Sequence, residues 1–187
     1  MNLGNVLIFG GTGMLSMASG WIAENSNLTI AFGRNENRLQ QLQRKFGVQN
    51  LKVQKLDYTD TKVLENTIKT ITKKYSKIDL VVAWIHENTA PKAIPTIRKL
   101  ISEINFNQKW SLLLIKGSSS DISRIIESEK NISDNCKLKV VQLGFIYTGT
   151  TSRWLTHEEI SDGVIQAITY EKSKTIVGTL EPWDKRP

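Results

Sequence analysis

The chain has 187 residues, with 25 Lys and Arg against 18 Asp and Glu, so its formal charge is +7. At 40% hydrophobic and 23% charged, the composition argues against disorder, and the length points to one globular domain over residues 1–187. No apolar run approaches the roughly 18 residues of a membrane span, Met1-Asn2-Leu3-Gly4-Asn5 has no basic segment of a secretory signal, and the lone Cys136 excludes an intramolecular disulfide framework.

Apolar runs and amphipathic stretches alternate along the chain. Asn5-Val6-Leu7-Ile8-Phe9 is an apolar run without polar alternation, as expected of a strand buried on both faces. It ends in Gly10-Gly11-Thr12-Gly13, and Met14 to Asn25 reads as a helix. Leu28 to Phe32 is a second strand, Asn35 to Phe46 a helix with Leu39, Leu42 and Phe46 on one face, and Leu51 to Leu56 a third strand. Asp60 is placed to cap a helix in which Leu64, Ile68, Ile71 and Tyr75 recur at helical spacing. Ile78 to Ile85 is a fourth strand, interrupted only by Asp79. Ile94, Ile97, Ile101 and Ile104 mark a helix with Pro95 in its first turn. Trp110 to Ile115, a short helix from Ile122, and Leu138 to Leu143 follow. Thr156 and Glu159 form a capping box for a last helix with Ile160, Val164 and Ile168 inward, and Thr175 to Thr179 is a candidate seventh strand. This alternation predicts a Rossmann-type, doubly wound parallel α/β sheet of six to seven strands in three layers.

The basic residues (Lys52, Lys55, Lys62, Lys69, Lys73, Lys74, Lys77, Lys137 and Lys139 among them) are spread rather than blocked, and aromatic residues are not interleaved with them. Solvated faces or an anion-attracting surface are expected, and neither a nucleic-acid nor a membrane partner. Two histidines and one cysteine leave little for a metal site. A cytoplasmic protein is the expectation.

The glycine-rich turn carries most of the functional signal. Gly10, Gly13 and Ser16 stand at G-x-x-G-x-x-G spacing with serine in the third place, and Gly11-Thr12-Gly13 also begins G-x-G-x-x-G. Glycines between a first strand and first helix turn the backbone tightly and admit a pyrophosphate to the helix N-terminus. Gly10, Gly11, Thr12, Gly13, Met14 and Leu15 are therefore candidate cofactor residues. About 20 residues beyond such a turn an NAD site places an acid on the ribose 2′-hydroxyl. Here Gly33-Arg34-Asn35-Glu36-Asn37-Arg38 stands there. Arg34 and Arg38 suit a 2′-phosphate, which makes NADP(H) the expected cofactor; Glu36 is the competing candidate. Asp57 and Tyr58, after the third strand, are placed to meet the adenine edge, or Asp57 serves only its turn. Ala83 and Trp84, ending the fourth strand, would line the cofactor ribose. His86 is either an active-site acid or a solvated loop residue.

The G-G-T-G-M-L turn, the G-R-N-x-x-R-L segment and the L-D-x-x-D stretch resemble the short-chain dehydrogenase/reductase superfamily, in particular its small atypical bacterial members. The resemblance covers residues 5 to 60 firmly and the rest loosely. It implies a Rossmann domain, NADP binding and carbonyl or alkene reduction. The family's Y-x-x-x-K motif lies on the helix after the fifth strand, and here that helix has no tyrosine. Tyr170…Lys174 and Tyr58…Lys62 have the spacing but fall at the far sheet edge and in the adenine half. Ser118 matches the family's serine. Tyr147, with Thr148 beside it, follows the sixth strand, and Thr150 to Trp154, including Arg153, is placed to fold over the cofactor. Ser118, Tyr147 and His86 are thus the candidate catalytic groups. The expected activity is an NADP-dependent oxidoreductase on a small carbonyl-type substrate; the alternative is a non-catalytic NADP(H)-binding sensor. With no separate substrate domain, the substrate is small or a homo-oligomer completes the pocket.

Overall fold

The computed structural model describes residues 1–129 and 135–187. Its elements in chain order are β1 (Asn5–Phe9), α1 (Ser16–Glu24), β2 (Leu28–Gly33), α2 (Glu36–Phe46), β3 (Leu51–Lys55), α3 (Thr61–Tyr75), β4 (Leu80–Ala83), α4 (Ala93–Ile104), β5 (Trp110–Lys116), α5 (Ile122–Glu129), β6 (Cys136–Leu143), β7 (Phe145–Tyr147), β8 (Ser152–Trp154), α6 (His157–Thr169) and β9 (Lys174–Val177). Seven strands form one parallel sheet in the order β3-β2-β1-β4-β5-β6-β9. This is the expected Rossmann-type sheet, with its direction of winding reversed between β1 and β4.

Two apolar clusters cover the two sheet faces, and the alternation within β1 shows why its run is continuous. Leu7 and Phe9 pack with Leu64 and Ile68 of α3 and Ile97 and Ile101 of α4. Val6 and Ile8 point the other way, to Ala18 and Ile22 of α1 and Ile160, Val164 and Ile168 of α6. A strand buried on both faces needs no polar position, and here it has none at Val6 to Phe9.

The caps follow the sequence. Asp60 accepts from the N–H groups of Lys62 and Val63 at the start of α3, and the Thr156–Glu159 capping box opens α6. Beyond shifts of one or two residues at strand ends, three differences from expectation have identifiable causes. Helix α1 begins at Ser16 rather than Met14, because Gly13 to Leu15 complete the turn and the Ser16 N–H donates to the Gly13 carbonyl at 3.0 Å. Strand β4 is shorter than its apolar run, since the Asn105 side chain takes both backbone groups of Ile78. The segment after β6, expected as loop, contains the antiparallel pair β7–β8, and Phe145 exchanges two backbone hydrogen bonds with Thr179. Among the described residues no helix is long and apolar enough to cross a membrane.

Helix α6 matters for the site because the Ser161 hydroxyl donates to the Met14 carbonyl at 3.0 Å, tying it to the glycine turn. Its first turn is held in place by charge. Arg153 donates to both Glu159 oxygens at 2.8 and 2.9 Å, and with the Thr156 N–H this holds the Glu159 carboxyl down to about 2 from an ordinary 4.5. A carboxylate held low stabilises the fold above its unfolded pKa and loses that contribution as pH falls toward the folded one. We therefore expect Glu159→Gln to lower the melting temperature at neutral pH, and the gap to wild type to close between about pH 4.5 and pH 2. Melting curves across that range check it; a gap independent of pH would contradict it.

Candidate functional site

The site is built where β1 and β4 end side by side. The Trp84 N–H donates to the Phe9 carbonyl at 2.9 Å, and the Gly10 N–H to the Phe32 carbonyl at 3.2 Å. Gly10 has φ +82°, and a Cβ there would lie 2.5 Å from the Trp84 carbonyl oxygen. Only glycine fits such a backbone approach. Gly11 is constrained differently: its Cβ would meet Ser19 Oγ at 2.6 Å and Ile8 Cγ2 at 2.8 Å, so its role is to let α1 pack on β1. Ser19 Oγ also donates to the Gly11 carbonyl at 3.0 Å. Gly13 is the opposite case, with open space around its Cβ position out to 4 Å. Among the described residues the N–H groups of Thr12, Gly13, Met14 and Leu15 donate no hydrogen bond. Four free amides before a helix start form an anion cradle.

A cleft of about 720 Å³ runs from this cradle toward the end of β2. Gly10, Thr12, Gly13, Met14 and Leu15 line one end; Gly33, Arg34, Asn35, Arg38 and Tyr58 line the other. Asn35 caps α2 by accepting from the Arg38 N–H at 3.0 Å, which fixes Arg38 one turn beyond Arg34 on the same side. Both arginines are exposed and make no ion pair among the described residues; Arg34 lies 5.9 Å from the centroid of the Tyr58 ring. Glu36, the competing ribose ligand, is not among the lining residues. Ser16, the third position of the glycine motif, also lines the cleft, as do Gln41 and His157, which no sequence motif marks. Gln41 lies two positions past the buried Leu39 in α2, and His157 arrives only through the docking of α6.

Other candidates stand apart from this cleft. Asp57 Oδ1 accepts from both the N–H and the hydroxyl of Thr59, which lowers its pKa, and the residue serves its turn. Ala83 is buried in β4, opposite Phe9. Tyr147 donates its hydroxyl to the Gly149 carbonyl at 2.8 Å within the β7–β8 hairpin and lines neither this cleft nor the next. Thr148 pairs with Thr151 across the same turn. Arg153 is committed to Glu159. Tyr170 is exposed past the end of α6 and Lys174 opens β9, so that Y-x-x-x-K pair sits at the amino ends of the strands.

Trp84 and His86 do face the cleft, and they also line a second cavity of about 300 Å³. Trp84 Nε1–H donates to His86 Nε2 at 3.2 Å, which places the neutral imidazole's proton on Nδ1. The far wall of this cavity comes from the end of β5, Lys116 to Ser120. Gln142 of β6 donates to the Ser118 and Ser120 carbonyls at 3.2 and 2.8 Å, holding that loop; Ser119 and Ser120 line the cavity, and Ser118 does not. Lys116 is a further residue here, and its signal in the sequence is a charge that ends a buried apolar strand at its carboxyl end. Helix α5 carries no tyrosine.

Comparison with solved structures places this architecture. A metagenomic short-chain oxidoreductase in complex with NADP matches with a TM-score of 0.73 at 8% identity, over 95% of this chain and 96% of that one. The serine dehydrogenase of Escherichia coli gives 0.68 at 15% identity over 94% and 96% of the two chains. A β-ketoacyl-[ACP] reductase from Bacteroides thetaiotaomicron gives 0.70 at 15% over 94% of each. At these identities the likeness is one of fold, that of the short-chain dehydrogenases/reductases. No family model and no curated protein matches the sequence.

The glycines make separable predictions. Gly10→Ala should cost at least about 1–2 kcal/mol, because a Cβ at positive φ is strained and here also meets a backbone oxygen. Gly13→Ala should stay within about 0.5 kcal/mol of wild type, as for an unencumbered surface position. Denaturant unfolding of both variants checks the contrast; equal losses would show that the turn is not built as described.

Proposed function

We propose that the cleft binds NADP(H) and that the chain is an oxidoreductase of the short-chain type acting on a small carbonyl-type substrate. The supporting observation is one cleft with four free amides at one end and, at the other, two arginines without ion pairs among the described residues. The open space at Gly13 leaves the pyrophosphate room against the Thr12–Leu15 amides. Arg34 and Arg38 suit the 2′-phosphate, each able to donate bidentately, and Tyr58 offers a ring beside them. The residues at the end of β2 would then hold the adenosine half, and Trp84 and His86, after β4, would face the nicotinamide end. The NADP complex of the metagenomic short-chain oxidoreductase, a protein of the same fold, supports this cofactor.

Bound there, the nicotinamide supplies hydride transfer; the chain must bind, orient and protonate. Of Ser118, Tyr147 and His86, it is His86 that lines the cavity beside the cofactor cleft. Its Nδ1–H is left to donate, since Nε2 accepts from Trp84. A second reading, NADP(H) binding without turnover, is favoured by the lack of a tyrosine on α5. Screening NADPH oxidation across carbonyl compounds separates the two.

The cofactor assignment has its own test. A hydrogen bond between charged partners contributes about 1.5–3 kcal/mol, so losing one weakens NADPH binding by roughly 10- to 150-fold. Arg34→Ala and Arg38→Ala should each do so, with Arg34 dominant because it leaves the strand end directly, while NADH affinity changes far less. Calorimetric NADPH/NADH affinity ratios at fixed salt decide it. A wild-type ratio near one, or a ratio that survives both substitutions, would remove NADP(H) as the cofactor.

A further inference from the structure

The second cavity contains an ion pair whose two halves are unequally covered. Lys116 ends β5 with its side chain 8% exposed, and its Nζ pairs with the carboxylate of Glu87, which is 58% exposed. A lysine that deep requires a partner charge, yet the partner here comes from the solvent side. Glu87 stands in the loop after β4, where the Thr89 and Ala90 N–H groups both donate to the His86 carbonyl. Rotation of the Glu87 side chain into water would leave the ammonium at the cavity wall, still buried and unneutralised. An incoming anion can therefore take the place of Glu87 without any change in the sheet.

The cavity's size and lining narrow what that anion is. About 300 Å³ is the lower end of ligand-site volumes and admits a compact molecule. Asn88, Ser119 and Ser120 offer hydrogen-bonding groups around Lys116, and Ile115 gives an apolar floor. The cavity opens at the carboxyl ends of β4 and β5, where this fold class places ligands. The chain's formal charge of +7 favours anion entry.

We propose that this cavity is the substrate subsite, and that Lys116 receives the carboxylate of a small oxo-acid, displacing Glu87 from the ammonium as the ligand enters. The proposal rests on the reading of the adjoining cleft as the NADP(H) site, which brings the reactive end of the cofactor to the Trp84–His86 wall. It names an anionic substrate class, and it anchors the substrate's carboxylate on a buried charge beside the Trp84–His86 wall.

The test is calorimetric titration of the full chain with pyruvate, and with hydroxyacetone as a neutral compound of similar size. Wild type should bind pyruvate and not hydroxyacetone. Lys116→Met should weaken pyruvate binding by roughly 10- to 150-fold, the loss of one charged hydrogen bond. Glu87→Gln should strengthen it, because the competing carboxylate is gone. Thermal melts report whether the variants fold; should Lys116→Met fail to do so, Glu87→Gln, which keeps the ammonium and leaves it a neutral polar neighbour, decides alone. Absence of pyruvate binding in wild type, equal binding of hydroxyacetone, or an affinity that Glu87→Gln leaves unchanged or weakens would each overturn the proposal. NADPH titration of the wild-type chain is read separately: its failure removes the cofactor reading, whereas the pyruvate isotherms decide the subsite.

Discussion

The structure turns on one close approach. At the end of β1 the chain passes the end of β4 so tightly that a Cβ on Gly10 would sit 2.5 Å from the Trp84 carbonyl oxygen. That contact sets the distance between the strands where the winding of the sheet reverses, and a crevice must open outside it. It also turns the backbone so that the Thr12 to Leu15 amides leave the sheet with no acceptor among the described residues. Replacing water at those amides by an anion is favourable for the same reason that it is at any helix N-terminus. The glycine turn is thus a packing necessity on one side and a binding surface on the other. Gly10 and Gly11 belong to the first role and Gly13 to the second.

Positive charge is then distributed along the crevice at three depths. The cradle carries only partial charges, from its N–H groups and the α1 dipole. Arg34 and Arg38 are exposed at one end, where solvent weakens their pull but leaves their geometry selective. Lys116, at the other end, is buried and balanced by Glu87. A buried ammonium acts more strongly on a ligand than an exposed one, since less water screens it. The same burial makes it costly without a counter-charge, and Glu87, itself exposed, meets that need from the solvent side.

Much of this was legible in the sequence, for identifiable reasons. Strands buried on both faces leave uninterrupted runs such as Val6 to Phe9, and helices covering them leave spacings such as Leu64, Ile68 and Ile71. The caps at Asp60 and Thr156 are local chemistry and need no tertiary information. The glycine turn and the two arginines are also local, because the crevice residues of this fold cluster in single strand-to-helix connections. The β7–β8 hairpin was not legible: three-residue strands carry too little alternation, and Phe145 is held by Thr179, far along the chain. His157 reaches the cleft only because Ser161 bonds the glycine turn. Ser118 and Tyr147 follow the right strands, but their hydroxyl directions depend on backbone turns that no pattern reports. Lys116 ends an apolar run, which a pattern reports, but its burial is a tertiary effect that no local pattern carries.

The central claim is that one cleft holds a dinucleotide with its pyrophosphate on the glycine turn and its 2′-phosphate on the arginines. Amide chemical-shift mapping of the full chain during titration with NADPH, and then with NADH, tests it most directly. The account predicts that both cofactors shift the Thr12 to Leu15 amides, and that NADPH alone adds strong shifts at Arg34 to Arg38. Shifts absent from the glycine turn, or identical for the two cofactors around Arg34 and Arg38, would contradict it.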